Sequence, residues 1–237
     1  MSAPLLEVRD LHAWYGRAHI LMGVDLTVGR GEVVALMGRN GAGKSTTLKG
    51  IMGLVDRRQG HVAFAGRDIA ALPPHRIARL GVGYVPEERR IFTELTVREN
   101  LEVGRQDPRT QAPTWTPDRL YALFPNLAEM KDRRGGRMSG GEQQMLTLAR
   151  TLMGNPALLL LDEPSEGLAP RIVQQMADAI RALKAEGLSV LVSEQNLAFA
   201  AAVADRAAVI EKGRIRWEGT MAALREDEAA RKAYLAV

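Results

Sequence analysis

The run Glu-Val-Val-Ala-Leu-Met at 32–37 leads without a break into Gly38-Arg39-Asn40-Gly41-Ala42-Gly43-Lys44-Ser45-Thr46, and the helical pattern TTLKGIMGL follows at once. No other segment restricts the fold so tightly. A buried strand, a loop with three glycines and a helix start in this order form a phosphate-binding unit of the pattern G-x-x-x-x-G-K-S/T. The glycines let successive backbone N–H groups and the helix N-terminus converge on phosphate oxygens, where side chains would block the approach. Lys44 supplies a cation for the β- and γ-phosphates, and the Ser45 hydroxyl is placed to ligate Mg²⁺. A strand–loop–helix unit of this kind belongs in an α/β protein.

The rest of the chain agrees with that class. Short β-rich runs at 5–8, 25–28, 32–37, 61–64, 83–85, 157–161, 189–192 and 207–210 alternate with helical patterns, and a hairpin partner is expected at 214–218 after the turn signal Glu211-Lys212-Gly213. VVALM, ALLLLD and SVLVS are almost wholly apolar, as strands of a parallel sheet covered on both faces must be. Between 96 and 154 the β signal vanishes and Pro108, Pro113 and Pro117 cluster around a loop, so this stretch reads as a helical insertion in the α/β core.

The run Leu158-Leu159-Leu160-Leu161-Asp162-Glu163-Pro164 supplies the chemistry that a phosphate loop lacks. Its apolar strand delivers Asp162 to the Mg²⁺ shell and puts Glu163 where a carboxylate can orient and deprotonate water. Adjacent carboxylates ending a buried strand are costly unless a cation or water network receives them. A third segment, Met138-Ser139-Gly140-Gly141-Glu142-Gln143-Gln144, opens the helical pattern MLTLARTLMGNP. Its Ser-Gly-Gly turn is a second helix start suited to an anion. Two such starts in one chain suggest two nucleotides, or one nucleotide shared between two chains.

The phosphate loop, the Ser-Gly-Gly-Glu-Gln turn and the Asp-Glu strand, in this order within 237 residues, resemble the ATP-binding cassette family, and the resemblance covers essentially the whole chain. It implies a P-loop NTPase core with a mainly parallel sheet, an N-terminal antiparallel β subdomain and an inserted α-helical subdomain. A single ATPase domain, 1–237, is then expected, with the insertion at about 88–155. The resemblance implies ATP and Mg²⁺ as cofactors, a sandwich of two ATPase subunits, and Ser139, Gly140, Gly141 and Glu142 acting on the γ-phosphate of ATP held by the opposite subunit. Tyr15, before Gly16, matches the aromatic that stacks on adenine, with Trp14 as the alternative.

Two positions depart from the family pattern. Glu87, in Tyr-Val-Pro-Glu, falls where most cassettes have a glutamine that senses metal and γ-phosphate, and Gln195, in Ser-Glu-Gln-Asn, falls where most have a switch histidine. The resemblance places both among the catalytic candidates and Glu87 also beside the metal, where its carboxylate is repelled by the polyanion unless Mg²⁺ or a nearby arginine such as Arg89 offsets it. Val-Pro-Glu, the loop Ser165-Glu166-Gly167-Leu168-Ala169-Pro170, Glu-Gln-Asn and the ending Arg231-Lys232-Ala233-Tyr234-Leu235 are similar to one branch, the ATP-binding subunits of branched-chain amino acid importers. Related importers of urea, amides and aromatic acids share parts of this pattern. The branch implies membrane permeases as partners, with a solute-binding protein engaged indirectly. It also implies a related ATPase subunit in a heterodimer, with a homodimer in isolation, and a peripheral place on the cytoplasmic face of the membrane. The stretch 88–100, ERRIFTELTVREN, is expected to expose Ile91, Phe92 and Leu95 to a permease helix.

Composition narrows the alternatives. Thirty-two basic against 28 acidic residues leave a net charge of +4, and 46% apolar residues supply a substantial core. Zero cysteines exclude disulfides and thiolate chemistry. No apolar run reaches the roughly 18 residues of a membrane-spanning helix, and MSAPLLEVRD lacks the apolar core of a signal peptide. A nucleic-acid partner is not expected, because Arg133, Arg134 and Arg137 have no interleaved aromatics to stack bases. A kinase on the same loop would have no use for Ser-Gly-Gly-Glu-Gln.

Overall fold

The computed structural model describes residues 3–110 and 112–235. Its strands are β1 (Leu6–Tyr15), β2 (Ala18–Val28), β3 (Val33–Met37), β4 (Arg57–Phe64), β5 (Arg67–Asp68), β6 (Val82–Val85), β7 (Leu158–Asp162), β8 (Ser189–Glu194), β9 (Arg206–Glu211) and β10 (Arg214–Thr220). The helices are α1 (Lys44–Met52), α2 (Pro74–Leu80), α3 (Val97–Gly104), α4 (Pro117–Leu123), α5 (Pro125–Glu129), α6 (Gly140–Leu152), α7 (Pro170–Ala185), α8 (Leu197–Val203), α9 (Met221–Glu226) and α10 (Glu228–Ala230). One sheet, β2-β1-β4-β5, is antiparallel. The other runs β10-β9-β3-β8-β7-β6 and is parallel except for the β9–β10 hairpin.

Period-two alternation along the parallel strands sorts the core into two layers. Val33, Ala35, Met37, Leu159 and Leu161 pack with α3, α6 and α7, whereas Val34, Leu36, Leu158 and Leu160 pack with α1 and the antiparallel sheet. Both faces are therefore covered, which explains why these strands read as unbroken apolar runs. Each of the four leucines of β7 is fully buried, worth roughly 1.5–3 kcal/mol apiece. Arg206 ties the layers, donating from Nε to Glu32 Oε1 at 2.9 Å and from Nη2 to the Thr27 carbonyl at 2.7 Å. Arg58 holds the end of α1, donating to the Ile51 and Ile69 carbonyls at 2.9 Å each.

The first two strands are far longer than the sequence expectations at 5–8 and 25–28. Asp10 looks like a turn residue, yet β1 bulges there and continues: Asp10 sits at φ 48° and its N–H donates to Asp25 Oδ1 at 2.9 Å. Gly60, at φ 105°, lets β4 press against the Asp10 carbonyl where a Cβ would collide. The extension carries β1 to Tyr15, beside the phosphate loop.

Candidate functional site

The phosphate loop leaves β3 at the end of the parallel sheet and turns into α1. Gly43 precedes the helix in the left-handed region, at φ 115°, and no side chain caps the helix start, which leaves its positive end to an external anion. Gly41 also has a positive φ, 76°. Packing supplies a further reason for two of the glycines. A Cβ on Gly38 would lie 2.5 Å from the Ile210 carbonyl oxygen, and one on Gly43 would lie 3.0 Å from Leu21 Cδ2. Packing against β9 therefore demands glycine at 38 before any phosphate arrives, the positive φ with Leu21 close by favours it at 43, and at Gly41 a Cβ would meet open space.

A cavity of about 250 Å³ brings together Tyr15, Gly41, Gly43, Lys44, Ser45, Thr46 and Glu163. Tyr15 is 37% exposed at its edge. Trp14 is engaged elsewhere, with the His19 ring stacked 4.3 Å away and the Arg57 guanidinium 3.9 Å from its ring centroid. Tyr15 is thus the available aromatic. Lys44, 3% exposed, donates to the Gly38 and Arg39 carbonyls at 2.8 and 3.2 Å and pairs with Glu163 Oε1 at 3.1 Å.

Asp162, 1% exposed, is clamped from both neighbouring strands. Ser193 Oγ on β8 donates to its Oδ1 at 2.7 Å, and Tyr84 OH on β6 donates to its Oδ2 at 3.0 Å. Burial and the adjacent Asp162 charge push the Tyr84 phenol far above its ordinary pKa, so it keeps its proton. Glu163 follows at φ 46°, a conformation that costs a non-glycine residue about 1–2 kcal/mol. Its N–H donates to the Ser193 carbonyl and to Ser193 Oγ, both at 3.1 Å, which hold the kink. Gln195 Nε2 approaches Glu163 Oε2 at 3.5 Å.

Three further carboxylates surround this pair. Glu166 shares a hydrogen bond with Glu163, which together with burial raises its pKa to about 7. Glu194, fully buried, accepts from the N–H groups of Ser165, Gln195 and Asn196 at 3.1, 3.2 and 3.1 Å and so joins the two loops; burial raises its pKa. Glu87 is raised by partial burial and by the charges of Glu163, Asp162 and Glu88, with Lys49 opposing. The offsetting cation is therefore Lys49 on α1, not Arg89, whose guanidinium lies against Gly140.

Ser139, Gly140, Gly141 and Glu142 do not line this cavity. Ser139 caps α6 in a reciprocal box: its N–H donates to Glu142 Oε2 at 2.7 Å and its Oγ accepts from the Glu142 N–H at 3.4 Å. One corrected expectation concerns 88–100. Phe92 is 48% exposed, but Ile91 packs against the core and Leu95 is half-buried. Asn100 closes this loop, its amide bonding the Phe92 N–H and carbonyl. Tyr84, Ser193, Glu194 and Lys49 are the site residues that the motifs alone leave out; for Ser193 and Glu194 the polar end of the apolar strand β8 is the sequence signal.

The ABC transporter family matches residues 21–166. The chain is 44% identical over 236 residues to the high-affinity branched-chain amino acid transport ATP-binding protein BraG of Pseudomonas aeruginosa, covering 98% of this chain and 99% of the relative. It is 35% identical to a probable branched-chain amino acid transport ATP-binding protein LivF of Archaeoglobus fulgidus, with 98% and 99% covered. The lipopolysaccharide export system ATP-binding protein LptB of Haemophilus influenzae is 37% identical, with 98% and 97% covered. Among solved structures, an ATP-binding subunit of an ABC transporter superposes with a TM-score of 0.80 at 31% identity, covering 98% of this chain and 96% of that one. The ADP conformation of the cassette MJ1267 does so with a TM-score of 0.80 at 26% identity, with 98% of each covered. With the phosphate loop and Glu163 in one cavity wall, these likenesses over nearly the full length mean that the chain belongs to the ABC transporter family, as an ATP-binding and ATP-hydrolysing cassette.

Proposed function

We propose that this chain is the ATPase subunit of an importer of branched-chain amino acids, working as a single domain with its helical insertion at about 88–155. The 44% identity to BraG over nearly all of both chains carries the reading. The LptB relatives, at 37% and 35% identity, belong to lipopolysaccharide export systems. Among the described residues no helix is long and apolar enough to cross a membrane. In this reading the translocation path belongs to integral permeases, this chain is bound peripherally at their cytoplasmic face, and a binding protein supplies the solute.

In this reading the uncapped start of α1 and Lys44 bind the β- and γ-phosphates, and Tyr15 stacks on adenine. Glu163 leaves Lys44 when phosphate takes its place, and then orients and deprotonates the attacking water. Ser45 and Asp162 are the residues to hold Mg²⁺, with Glu87 at its edge. The donor set fits: each Asp162 oxygen accepts one hydrogen bond and keeps a second acceptor position. Mg²⁺ supplies neutralisation of the charge developing on the phosphates. Ser139 and the Gly140 and Gly141 amides serve the γ-phosphate of a second subunit, related rather than identical in the working complex.

A separate cavity of about 470 Å³, lined among others by Tyr84, Arg90, Phe92, Val103 and Arg150, is the seat offered to a short cytoplasmic permease helix. Reconstitution of the complete transporter in vesicles tests the function: ATP-dependent uptake of leucine is expected. Uptake confined to urea, short amides or aromatic acids would overturn the cargo, and absence of ATP hydrolysis would overturn the whole reading.

A further inference from the structure

Tyr84 belongs to two places at once. On one side its hydroxyl donates to Asp162 Oδ2 at 3.0 Å; on the other it lines the cavity of Phe92 and Arg150. The Glu163 cavity and the Phe92 cavity share no lining residue.

We propose that Tyr84 is a positioning residue, whose hydroxyl sets the orientation of Asp162 and whose placement in the wall of the Phe92 cavity transmits occupancy of that cavity to the carboxylate. The transmission rests on the reading of that cavity as the permease seat; the positioning role does not.

The two donors that clamp Asp162 differ in what they can transmit. Ser193 sits at the end of the buried strand β8, fully enclosed, with its Oγ also accepting from the Glu163 N–H. A short side chain on a buried strand has no way to sense a surface cavity. Tyr84 is half-buried on β6, and its ring is rigid across the distance from backbone to hydroxyl. The strand behind it has little freedom: a Cβ on the adjacent Gly83 would lie 2.8 Å from Thr151 Cγ2 of α6, so β6 is pressed against that helix. A guest that displaces the ring therefore moves the hydroxyl and not the strand. Glu87 offers no equivalent route, since it lines neither cavity.

Groups that orient a metal ligand from behind typically change metal affinity by about 10- to 100-fold when removed. Tyr84→Phe deletes the hydroxyl and keeps the ring in the cavity wall. With the isolated subunit and ATP, half-saturating Mn²⁺, followed by its electron paramagnetic resonance signal, is expected to rise about tenfold, while ATP binding without metal stays unchanged. An unchanged Mn²⁺ dependence would overturn the positioning role. Ser193→Ala serves as the second variant: it removes the other donor without touching the cavity, and it too should raise the Mn²⁺ requirement. In the assembled transporter, the permeases should shift half-saturating Mn²⁺ in the parent and in Ser193→Ala but not in Tyr84→Phe. Equal shifts in all three would overturn the transmission. If permeases fail to bind the parent chain, the docking reading falls and the transmission with it, and the isolated subunit still decides the positioning role.

Discussion

The chain has two helix starts suited to phosphate, and they are finished to different degrees. The start of α1 has no side-chain cap, lies in a cavity with Lys44 and Glu163, and is shaped by glycines that the surrounding core demands. The start of α6 is capped reciprocally by Ser139 and Glu142 and lines no cavity with the catalytic carboxylates. The first leaves its N–H groups to an anion; the second satisfies its own through side chains. The proposed pairing makes use of this difference: in it each chain holds a nucleotide at the start of α1 and lends the start of α6 to its partner.

The strongest test of the first site is Glu163→Gln. Turnover should fall by about 10²- to 10⁴-fold with ATP binding retained, measured as phosphate release and equilibrium binding. Equal rates would remove Glu163 from the chemistry. Lys44→Ala should abolish ATP binding and also weaken the empty protein, because Glu163, only 7% exposed, loses its cation. Breaking a buried pair on one side costs about 3–5 kcal/mol, which urea unfolding would register as a lower midpoint; an unchanged midpoint would mean that the pair adds nothing to the fold.

Glu166 sharpens the comparison further, since it joins the carboxylate cluster at the first site. Its folded pKa, about 7, lies above the ordinary value of about 4.3. The folded state therefore holds the proton more tightly. The stability that this proton contributes is fully present below pH ~4.3 and lost as pH rises through about 7. Glu166→Gln should flatten the fall in unfolding midpoint across that window, and an identical pH profile would contradict the shared proton. The smallest expected effect is at Gln195, whose amide reaches Glu163 only at 3.5 Å. Gln195→His, alone or with Glu87→Gln, should raise homodimer turnover a few-fold with ATP affinity intact, because a histidine can donate to the γ-phosphate with positive charge and the change at 87 removes a carboxylate beside a polyanion; an unchanged or lower rate would contradict this.

What the sequence made legible follows from where each signal is stored. The phosphate loop, the Asp-Glu strand and the Ser-Gly-Gly turn are contiguous in the chain, so their chemistry could be read directly. The clamp on Asp162 is not contiguous: Tyr84, Asp162 and Ser193 lie on three neighbouring strands, and strand order is written in no single segment. Sequence proximity offers Arg89, besides Mg²⁺, as the cation to oppose Glu87, but the side chain that does so is Lys49 on α1. Long-range charge placement of this sort follows packing and not spacing. The bulge at Asp10 hid half of β1 for the opposite reason, since its local signal is a turn and only the pairing with β2 and β4 overrides it.

The central claim is that the hydrolytic site is completed by a second chain, and mixing two inactive variants tests it most directly. Ser139→Arg spoils the lent cap, and Lys44→Ala spoils the resident site, so neither variant should hydrolyse ATP alone. A mixed dimer retains one composite site, with Lys44 from the first variant and Ser139 from the second. Mixing should restore ATP hydrolysis that neither variant has by itself. Mixed dimers that form, as shown by co-purification of two differently tagged chains, and remain inactive would contradict the claim.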